Sequence, residues 1–121
     1  MARILVVEDN PANMKLVAFI LEKSGHEVIQ AVDAESGLAA TRDQHPDLIL
    51  MDVQLPGMDG LEATGLMKAN PATSGIPVFA LTAMAMRGDE ELVRAAGCDG
   101  YIIKPINYKS LLDQVKQALA R

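Results

Sequence analysis

The sequence is poor in cysteine and in aromatic residues. It contains one cysteine, Cys98, no tryptophan, two tyrosines and two phenylalanines. A disulfide or a cysteine-based zinc site needs more than one thiol, so the chain alone can form neither. Half of its residues are nevertheless hydrophobic, which provides enough apolar surface for a folded core. Because aromatic residues are scarce, we expect that core to be aliphatic.

Long hydrophobic runs and an excess of basic residues are missing as well. No apolar stretch approaches the roughly 20 residues that a membrane-spanning helix needs, and Glu8 and Asp9 follow the first apolar run too early for a secretory signal. The net charge of −5 argues against nonspecific nucleic-acid binding, which relies on clustered Lys and Arg. We therefore expect a cytoplasmic protein without nucleic-acid or membrane partners.

Short apolar runs alternate with amphipathic stretches along the whole sequence, as is typical of repeated strand–helix units around a parallel sheet. The runs predict five strands, over residues 3–8, 27–31, 47–51, 77–81 and 99–103. Five helices are predicted from cap and stop residues. The first is capped by Asn10, begins at Pro11 and stops at Gly25. The second is capped by Asp33 and runs to about Gln44, and the third covers residues 59–69. The fourth begins at Gly88 and ends at Gly97, and the fifth is capped by Asn107 and runs to about Ala120.

These elements predict one α/β domain over residues 1–121, with a five-stranded parallel sheet and helices on both faces. The crossovers between parallel strands should be right-handed, which leaves few topologies. Strand two ends at residues 30–32 without a chemically reactive side chain, so we place it at an edge. This favours the strand order 2-1-3-4-5, with a crevice between strands one and three.

The other four strands each end on a polar or charged side chain. Glu8 and Asp9 follow the first strand, Asp52 the third, Thr82 the fourth and Lys104 the fifth. Taken singly, each has an ordinary explanation as a helix cap, a solvated loop residue or a surface charge. Because the carboxyl ends of parallel strands meet at one edge of the sheet, we expect the five residues to share one pocket.

The acidic residues of this pocket predict a magnesium site. Two carboxylates about 4 Å apart repel by roughly 4 kcal/mol at an effective dielectric constant near 20. A hard divalent cation removes that cost, and Mg²⁺ prefers oxygen ligands. We expect Asp9 and Asp52 to bind it directly, together with the backbone carbonyl of Gln54, and Glu8 to bind directly or through water.

The remaining residues predict phosphoryl transfer. An aspartate can form a covalent aspartyl phosphate, and Asp52 follows the central strand, where its carboxylate can attack phosphorus. Lys104 supplies a second cation from the side opposite the metal, and Thr82 offers its hydroxyl to a phosphoryl oxygen. Pro105 predicts a rigid turn after Lys104, with a cis peptide bond as one alternative.

These residues lie in four motifs: Val7-Glu8-Asp9-Asn10, Leu50-Met51-Asp52-Val53-Gln54-Leu55-Pro56-Gly57-Met58-Asp59-Gly60, Leu81-Thr82-Ala83, and Tyr101-Ile102-Ile103-Lys104-Pro105. In this order and spacing the chain resembles bacterial response-regulator receiver domains, from Arg3 to its C-terminus. The resemblance implies a flavodoxin-like receiver fold. It also implies that Asp52 accepts a phosphoryl group from a phosphohistidine on a sensor kinase or histidine phosphotransfer protein, with Mg²⁺ held by the three acids.

The same resemblance implies a switch and a binding surface. Tyr101 lies where the family keeps a switch aromatic that is coupled to Thr82. Segments 10–14 and 83–90 are similar to those of single-domain regulators of the cell-cycle phosphorelay type, and they also occur in receivers fused to hybrid kinases. We therefore expect a stand-alone regulator without an output domain, which promotes only its own phosphorylation and dephosphorylation. A downstream protein would read helix four, strand five and helix five, a surface that includes Met84, Met86, Tyr101, Ile106 and Tyr108.

Three alternatives use other chemistry. A phosphatase of the haloacid-dehalogenase type needs a second acid two positions after its nucleophile, where this chain has Gln54. A flavin carrier of the same topology needs a phosphate-cradling loop after the first strand, where this chain has the acidic residues Glu8 and Asp9. The third alternative is a receiver that binds its partner without being phosphorylated. The intact set of site residues favours the phosphorylated receiver over all three.

Overall fold

The computed structural model describes residues 2–83 and 87–120. Within them strands and helices alternate without interruption, and the strands form one parallel sheet in the order β2-β1-β3-β4-β5. The predicted fold class and strand order are therefore confirmed. The elements are β1 (Arg3–Val7), α1 (Pro11–Lys23), β2 (Glu27–Ala31), α2 (Ala34–Gln44), β3 (Leu48–Asp52), α3 (Gly60–Ala69), β4 (Val78–Thr82), α4 (Arg87–Ala95), β5 (Gly100–Ile103) and α5 (Tyr108–Leu119).

Local signals in the sequence set most of these boundaries. The Asn10 side chain accepts hydrogen bonds from the N–H groups of Ala12 and Asn13, and Pro11 is the first residue of α1. Gly25 follows that helix with a φ of 92°, a conformation that glycine adopts without steric cost. The predicted caps Asp33 and Asn107 likewise accept backbone hydrogen bonds at the starts of α2 and α5, and Asp59 does so at the start of α3.

Two strands are displaced by one residue from their predicted bounds, and β1 and β5 are each one residue shorter than predicted. The sequence predicted strands over 47–51 and 77–81, whereas β3 and β4 run from Leu48 to Asp52 and from Val78 to Thr82. The displacement arises because Asp52 still pairs with Leu81 across the sheet, which the apolar pattern alone does not indicate. Asp52 is consequently the last residue of a strand and not the first residue of a loop.

Side chains alternate between the two faces of the sheet and build two aliphatic clusters. The face covered by α1 and α5 buries alternate residues of four strands, namely Ile4, Val6, Leu48, Leu50, Phe79, Leu81 and Ile102. The face covered by α2 and α3 buries their neighbours, namely Leu5, Val7, Ile49, Met51 and Val78. Every residue of β3 and β4 is buried, as expected for strands with helices on both sides.

The same alternation assigns the polar residues at the strand ends to faces. Asp52, the last residue of β3, lies on the face of α1 and α5. If the alternation continues for one residue beyond β1 and β5, Glu8 and Lys104 lie on that face as well. Thr82 belongs to the opposite face, as does Tyr101, whose register partner on β4 is Ala80. No helix within the described ranges has the length and apolarity that crossing a bilayer requires.

Truncation of the central strand tests this packing. Leu50 on β3 is fully buried, whereas Leu66 on α3 is 49% exposed. We expect Leu50→Ala to lower the free energy of unfolding by about 2–5 kcal/mol, because it leaves a cavity between two helices and the sheet. The matched variant Leu66→Ala should lower it by about 1 kcal/mol or less. Urea denaturation measures both, and equal losses would contradict the assignment of Leu50 to the core.

Candidate functional site

The sheet brings three carboxylates together at the carboxyl ends of β1 and β3. One oxygen from each of Glu8, Asp9 and Asp52 lies within 4.8 Å of the others. Glu8 and Asp52 are almost completely buried, at 1% and 3% exposure, whereas Asp9 is exposed. The cluster therefore opens to solvent on the side of Asp9, and the predicted convergence of the three acids is confirmed.

The ammonium group of Lys104 bridges the two buried acids. Its Nζ lies 3.0 Å from Asp52 Oδ2, to which it donates a hydrogen bond, and 3.0 Å from Glu8 Oε1. The sequence predicted Lys104 in this pocket but not its pairing with Glu8. The explanation of Lys104 as a plain surface charge is wrong. The Lys104–Pro105 peptide bond is cis, which was one of the alternatives for this turn.

Main-chain N–H groups also bind the two buried carboxylates. Asp52 Oδ1 accepts a hydrogen bond of 2.9 Å from the N–H of Gln54, and Glu8 Oε2 accepts one of 3.2 Å from Asn10. The contact of Lys104 with Glu8 Oε1 is close enough for an ion pair but lacks hydrogen-bond geometry, so among the described residues this buried oxygen accepts no hydrogen bond. Its free acceptor capacity fits a cation in the cluster.

The charges of the cluster are not balanced by the protein alone. Burial, followed by the neighbouring Asp52 carboxylate, raises the pKa of Glu8 to about 7, against the opposing effects of Lys104 and the Asn10 N–H. Burial lowers the pKa of Lys104, but its hydrogen bond to Asp52 and the negative charges of Asp52 and Glu8 outweigh burial and raise it overall. One ammonium therefore faces three acids, and ionised Glu8 is disfavoured until more positive charge is present.

The donor set fits Mg²⁺. All side-chain donors are carboxylate oxygens, which hard divalent cations prefer, and the exposed Asp9 side leaves room for the water ligands that Mg²⁺ retains. Cysteine and histidine, the usual ligands of zinc, are absent from this cluster of described residues. No contact among the described residues tests whether the backbone carbonyl of Gln54 is a metal ligand, so that assignment stays a prediction.

Thr82 and Tyr101 belong to the face of the sheet opposite this cluster. Thr82 is buried at the end of β4, and its main-chain oxygen accepts a hydrogen bond of 2.7 Å from the N–H of Lys104. Tyr101 is half-buried and borders a cavity of about 250 Å³ that is also lined by Val93 and Cys98. Met84 and Met86, which were predicted for the binding surface, lie outside the described residues.

This arrangement belongs to a known family. The profile of the family described as "Response regulator receiver domain" matches residues 4–116. The chain is a member of the response regulator receiver family. Receivers are signalling proteins, so the resemblance inferred from the four motifs is confirmed together with the general role in two-component signalling.

Individual relatives agree with this assignment. The chain is 46% identical over 116 residues to a protein of Brucella ovis named "Polar-differentiation response regulator DivK", an alignment that covers 96% of this chain and 94% of the relative. It is 33% identical to the receiver domain of the sensor histidine kinase PA1611 from Pseudomonas aeruginosa, whose structure has magnesium coordinated in the active-site cleft, with a TM-score of 0.92 and coverage of 99% and 98%. The chemotaxis protein CheY4 of Vibrio cholerae is 28% identical, with a TM-score of 0.93 and coverage of 98% and 99%.

Two features of the receiver site were not foreseen from the sequence. One is the ion pair between Glu8 and Lys104, and the other is the close approach of Gly60 to the backbone of Asp52. Side-chain alternation contains the signal for the pair, since Glu8 and Lys104 follow Val6 and Ile102 on the same face. Nothing in the sequence pattern indicates the approach of Gly60, which depends on how α3 packs.

The raised pKa of Glu8 predicts a pH-dependent stability of the metal-free receiver. Its folded-state pKa of about 7 lies above the ordinary value of 4.5, so the folded state holds this proton more tightly than the unfolded state. The stabilising contribution of protonated Glu8 is fully present below pH 4.5 and is lost as the pH rises through 7.

Urea denaturation at several pH values in the presence of a chelator measures this contribution. We expect the difference in free energy of unfolding between Glu8→Gln and wild type to change across this window, because glutamine does not titrate. The variant Glu22→Gln, at an exposed position on α1, controls for the loss of a surface carboxylate and should leave the profile unchanged. If the free energy of unfolding depends on pH in the same way for Glu8→Gln and wild type, the raised pKa of Glu8 in the folded state is contradicted.

Proposed function

We propose that this receiver is a stand-alone response regulator of two-component or phosphorelay signalling and that Asp52 is its phosphoacceptor. The observation that carries the proposal is the position of the Lys104 ammonium, 3.0 Å from both buried carboxylates of the acidic cluster. The Brucella ovis relative supports the stand-alone form, because this chain covers 94% of its length. We also propose a cytoplasmic location, because a chain with one cysteine forms no intrachain disulfide, which suits a reducing compartment.

The proposed step is the transfer of a phosphoryl group from a phosphohistidine on a sensor kinase or histidine phosphotransfer protein. A carboxylate oxygen of Asp52 forms a bond to phosphorus as the phosphorus–nitrogen bond of the donor breaks. The histidine nitrogen keeps the bonding electrons and takes up a proton. Hydrolysis of the resulting acyl phosphate returns the carboxylate and releases inorganic phosphate, and we propose that the receiver promotes no reaction on other substrates.

The side chains around Asp52 support this step electrostatically. Lys104 fixes one carboxylate oxygen and places positive charge where the phosphoryl oxygens arrive, which preorganised groups do at little reorganisation cost. Thr82 would offer its hydroxyl to a phosphoryl oxygen. Glu8, Asp9 and Asp52, with the Gln54 carbonyl, would hold Mg²⁺, which supplies positive charge to the transferred group when it is bound.

The phosphorylated receiver would signal through a changed surface formed by α4, β5 and α5, which we call the α4–β5–α5 surface. Leu92, Ile103 and Tyr108 lie on these three elements and are 52–59% exposed, while Ile106 is half-buried between β5 and α5. Apolar side chains exposed in this way suit a protein partner. Because the main chains of Thr82 and Lys104 are hydrogen-bonded, a movement of Thr82 toward a phosphoryl group would be transmitted to β5 and Tyr101.

Intact mass after incubation with Mg²⁺ and acetyl phosphate tests the phosphoacceptor. We expect wild type to gain one phosphoryl group and Asp52→Asn to gain none. Asp59→Asn is the matched control, because it makes the same chemical change in the loop that follows Asp52 and asparagine also caps helices well. This control should be phosphorylated like wild type.

Two results would contradict the proposed phosphoacceptor. Phosphorylation of Asp52→Asn at the wild-type rate would assign the reaction to another side chain. Failure of wild type with both acetyl phosphate and a phosphohistidine protein would favour a receiver that binds its partner without phosphorylation. Steady hydrolysis of general phosphomonoesters would instead favour a phosphatase.

Thr82→Ala tests the proposed transmission to the surface. We expect this variant to take up a phosphoryl group but to show smaller phosphorylation-dependent shifts in the NMR signals of the Ile103 and Tyr108 amides. Thr41→Ala, which removes a buried hydroxyl on α2 that bonds to Gly37, should retain the wild-type shifts. Full shifts in Thr82→Ala would mean that the hydroxyl has no part in the switch.

A further inference from the structure

The first residue of α3 lies directly against the backbone of Asp52. Gly60 is buried, and its N–H donates a hydrogen bond of 3.3 Å to the carbonyl of Val53. A Cβ atom on Gly60 would overlap the carbonyl oxygen of Asp52 and would lie 2.8 Å from its carbonyl carbon and 3.0 Å from Met51 Cγ. The atoms in the way belong mainly to the backbone, so a rotamer change cannot remove the clash.

Backbone conformation does not explain the glycine at this position. The glycines with positive φ in the described ranges are Gly25, Gly57 and Gly97, and Gly60 is not one of them. As the first residue of a helix, position 60 would otherwise favour alanine, which has the higher helix propensity. The close approach to Asp52 is the feature that leaves no room for a side chain at position 60.

This approach fixes the main chain of Asp52 from the side opposite its strand partner. On one side Asp52 pairs with Leu81 of β4, and the N–H of Val53 donates to the Leu81 carbonyl. On the other side the first residue of α3, Gly60, packs against the Asp52 carbonyl. The Asp52 peptide is therefore held between a strand and a helix, and its carboxylate is held in turn at 3.0 Å from Lys104.

We propose that Gly60 is a positioning residue for Asp52, since the absence of a side chain there lets α3 lock the Asp52 peptide and so aim the carboxylate at Glu8 and Lys104. The inference rests on the proposed function for its consequence in phosphoryl transfer. Its consequence for metal binding is independent of that function. Misplacement of a reacting group by about 1 Å can cost roughly a hundredfold in rate.

Three glycine-to-alanine variants separate positioning from stability. In Gly60→Ala the new methyl displaces the Asp52 peptide. In Gly100→Ala it clashes with the Phe79 ring, 2.7 Å from Cε2, which destabilises the core without touching Asp52. In Gly65→Ala, inside the same helix α3, it meets no atom within 4 Å.

Mg²⁺ affinity, by calorimetry, and the rate of phosphorylation by acetyl phosphate are measured for each variant together with its melting temperature. We expect Gly60→Ala to lose about tenfold or more in Mg²⁺ affinity, the loss typical when a group that orients a ligand is removed, and to be phosphorylated correspondingly more slowly. Gly100→Ala should melt at a lower temperature but keep the wild-type affinity. Gly65→Ala should match wild type in both site measurements.

Unchanged Mg²⁺ affinity in Gly60→Ala would overturn the inference, as would an equal loss in Gly100→Ala, because the effect would then follow from stability. A Gly60→Ala protein that is unfolded even in the cold would also overturn it, since the contact would be a requirement of folding. If wild type binds Mg²⁺ but takes up no phosphoryl group, the proposed function fails. A weaker Mg²⁺ affinity of Gly60→Ala would in that case still support the positioning role.

Discussion

A parallel sheet places the carboxyl ends of all its strands at one edge, and alternation within each strand decides which side chains meet there. In this chain β1, β3 and β5 point Glu8, Asp52 and Lys104 to the face covered by α1 and α5. Thr82 and Tyr101 emerge on the other face. The receiver site is thus divided by the sheet into an acidic cluster and a neighbouring pair, joined by the backbone hydrogen bond between Lys104 and Thr82.

The acidic cluster lowers the stability of the folded protein. Two carboxylates are buried beside a third, and a single ammonium lies between the buried ones. Burial and the negative charge of Asp52 raise the pKa of Glu8 to about 7, which shows that the site favours additional positive charge, from a proton or a metal. Local conflict of this kind is common at functional sites, where stability is given up for a ligand or a reaction. The surrounding aliphatic core, buried on both faces of β3 and β4, compensates for it.

The sequence predicted the features that depend on local rules. Capping needs only neighbouring residues, so helix starts could be predicted at Asn10, Asp33 and Asn107. The order of the strands followed from the edge position of β2. Features that depend on packing were not predicted. The extension of β3 to Asp52 depends on its pairing with Leu81. The ion pair between Glu8 and Lys104 joins residues that follow the first and the last strand. The contact of Gly60 with Asp52 depends on how α3 packs against the sheet.

The central claim is that this site forms a phosphoryl–aspartate at one defined carboxylate, and the position of that bond tests it most directly. Borohydride reduces an acyl phosphate to an alcohol, which marks the residue that carried it for peptide mapping by mass spectrometry. The account predicts that the mark appears at Asp52 alone and only when Mg²⁺ is present during phosphorylation. A mark at Asp9 or Glu8, or a phosphoryl group that resists borohydride because it sits on a hydroxyl, would contradict it.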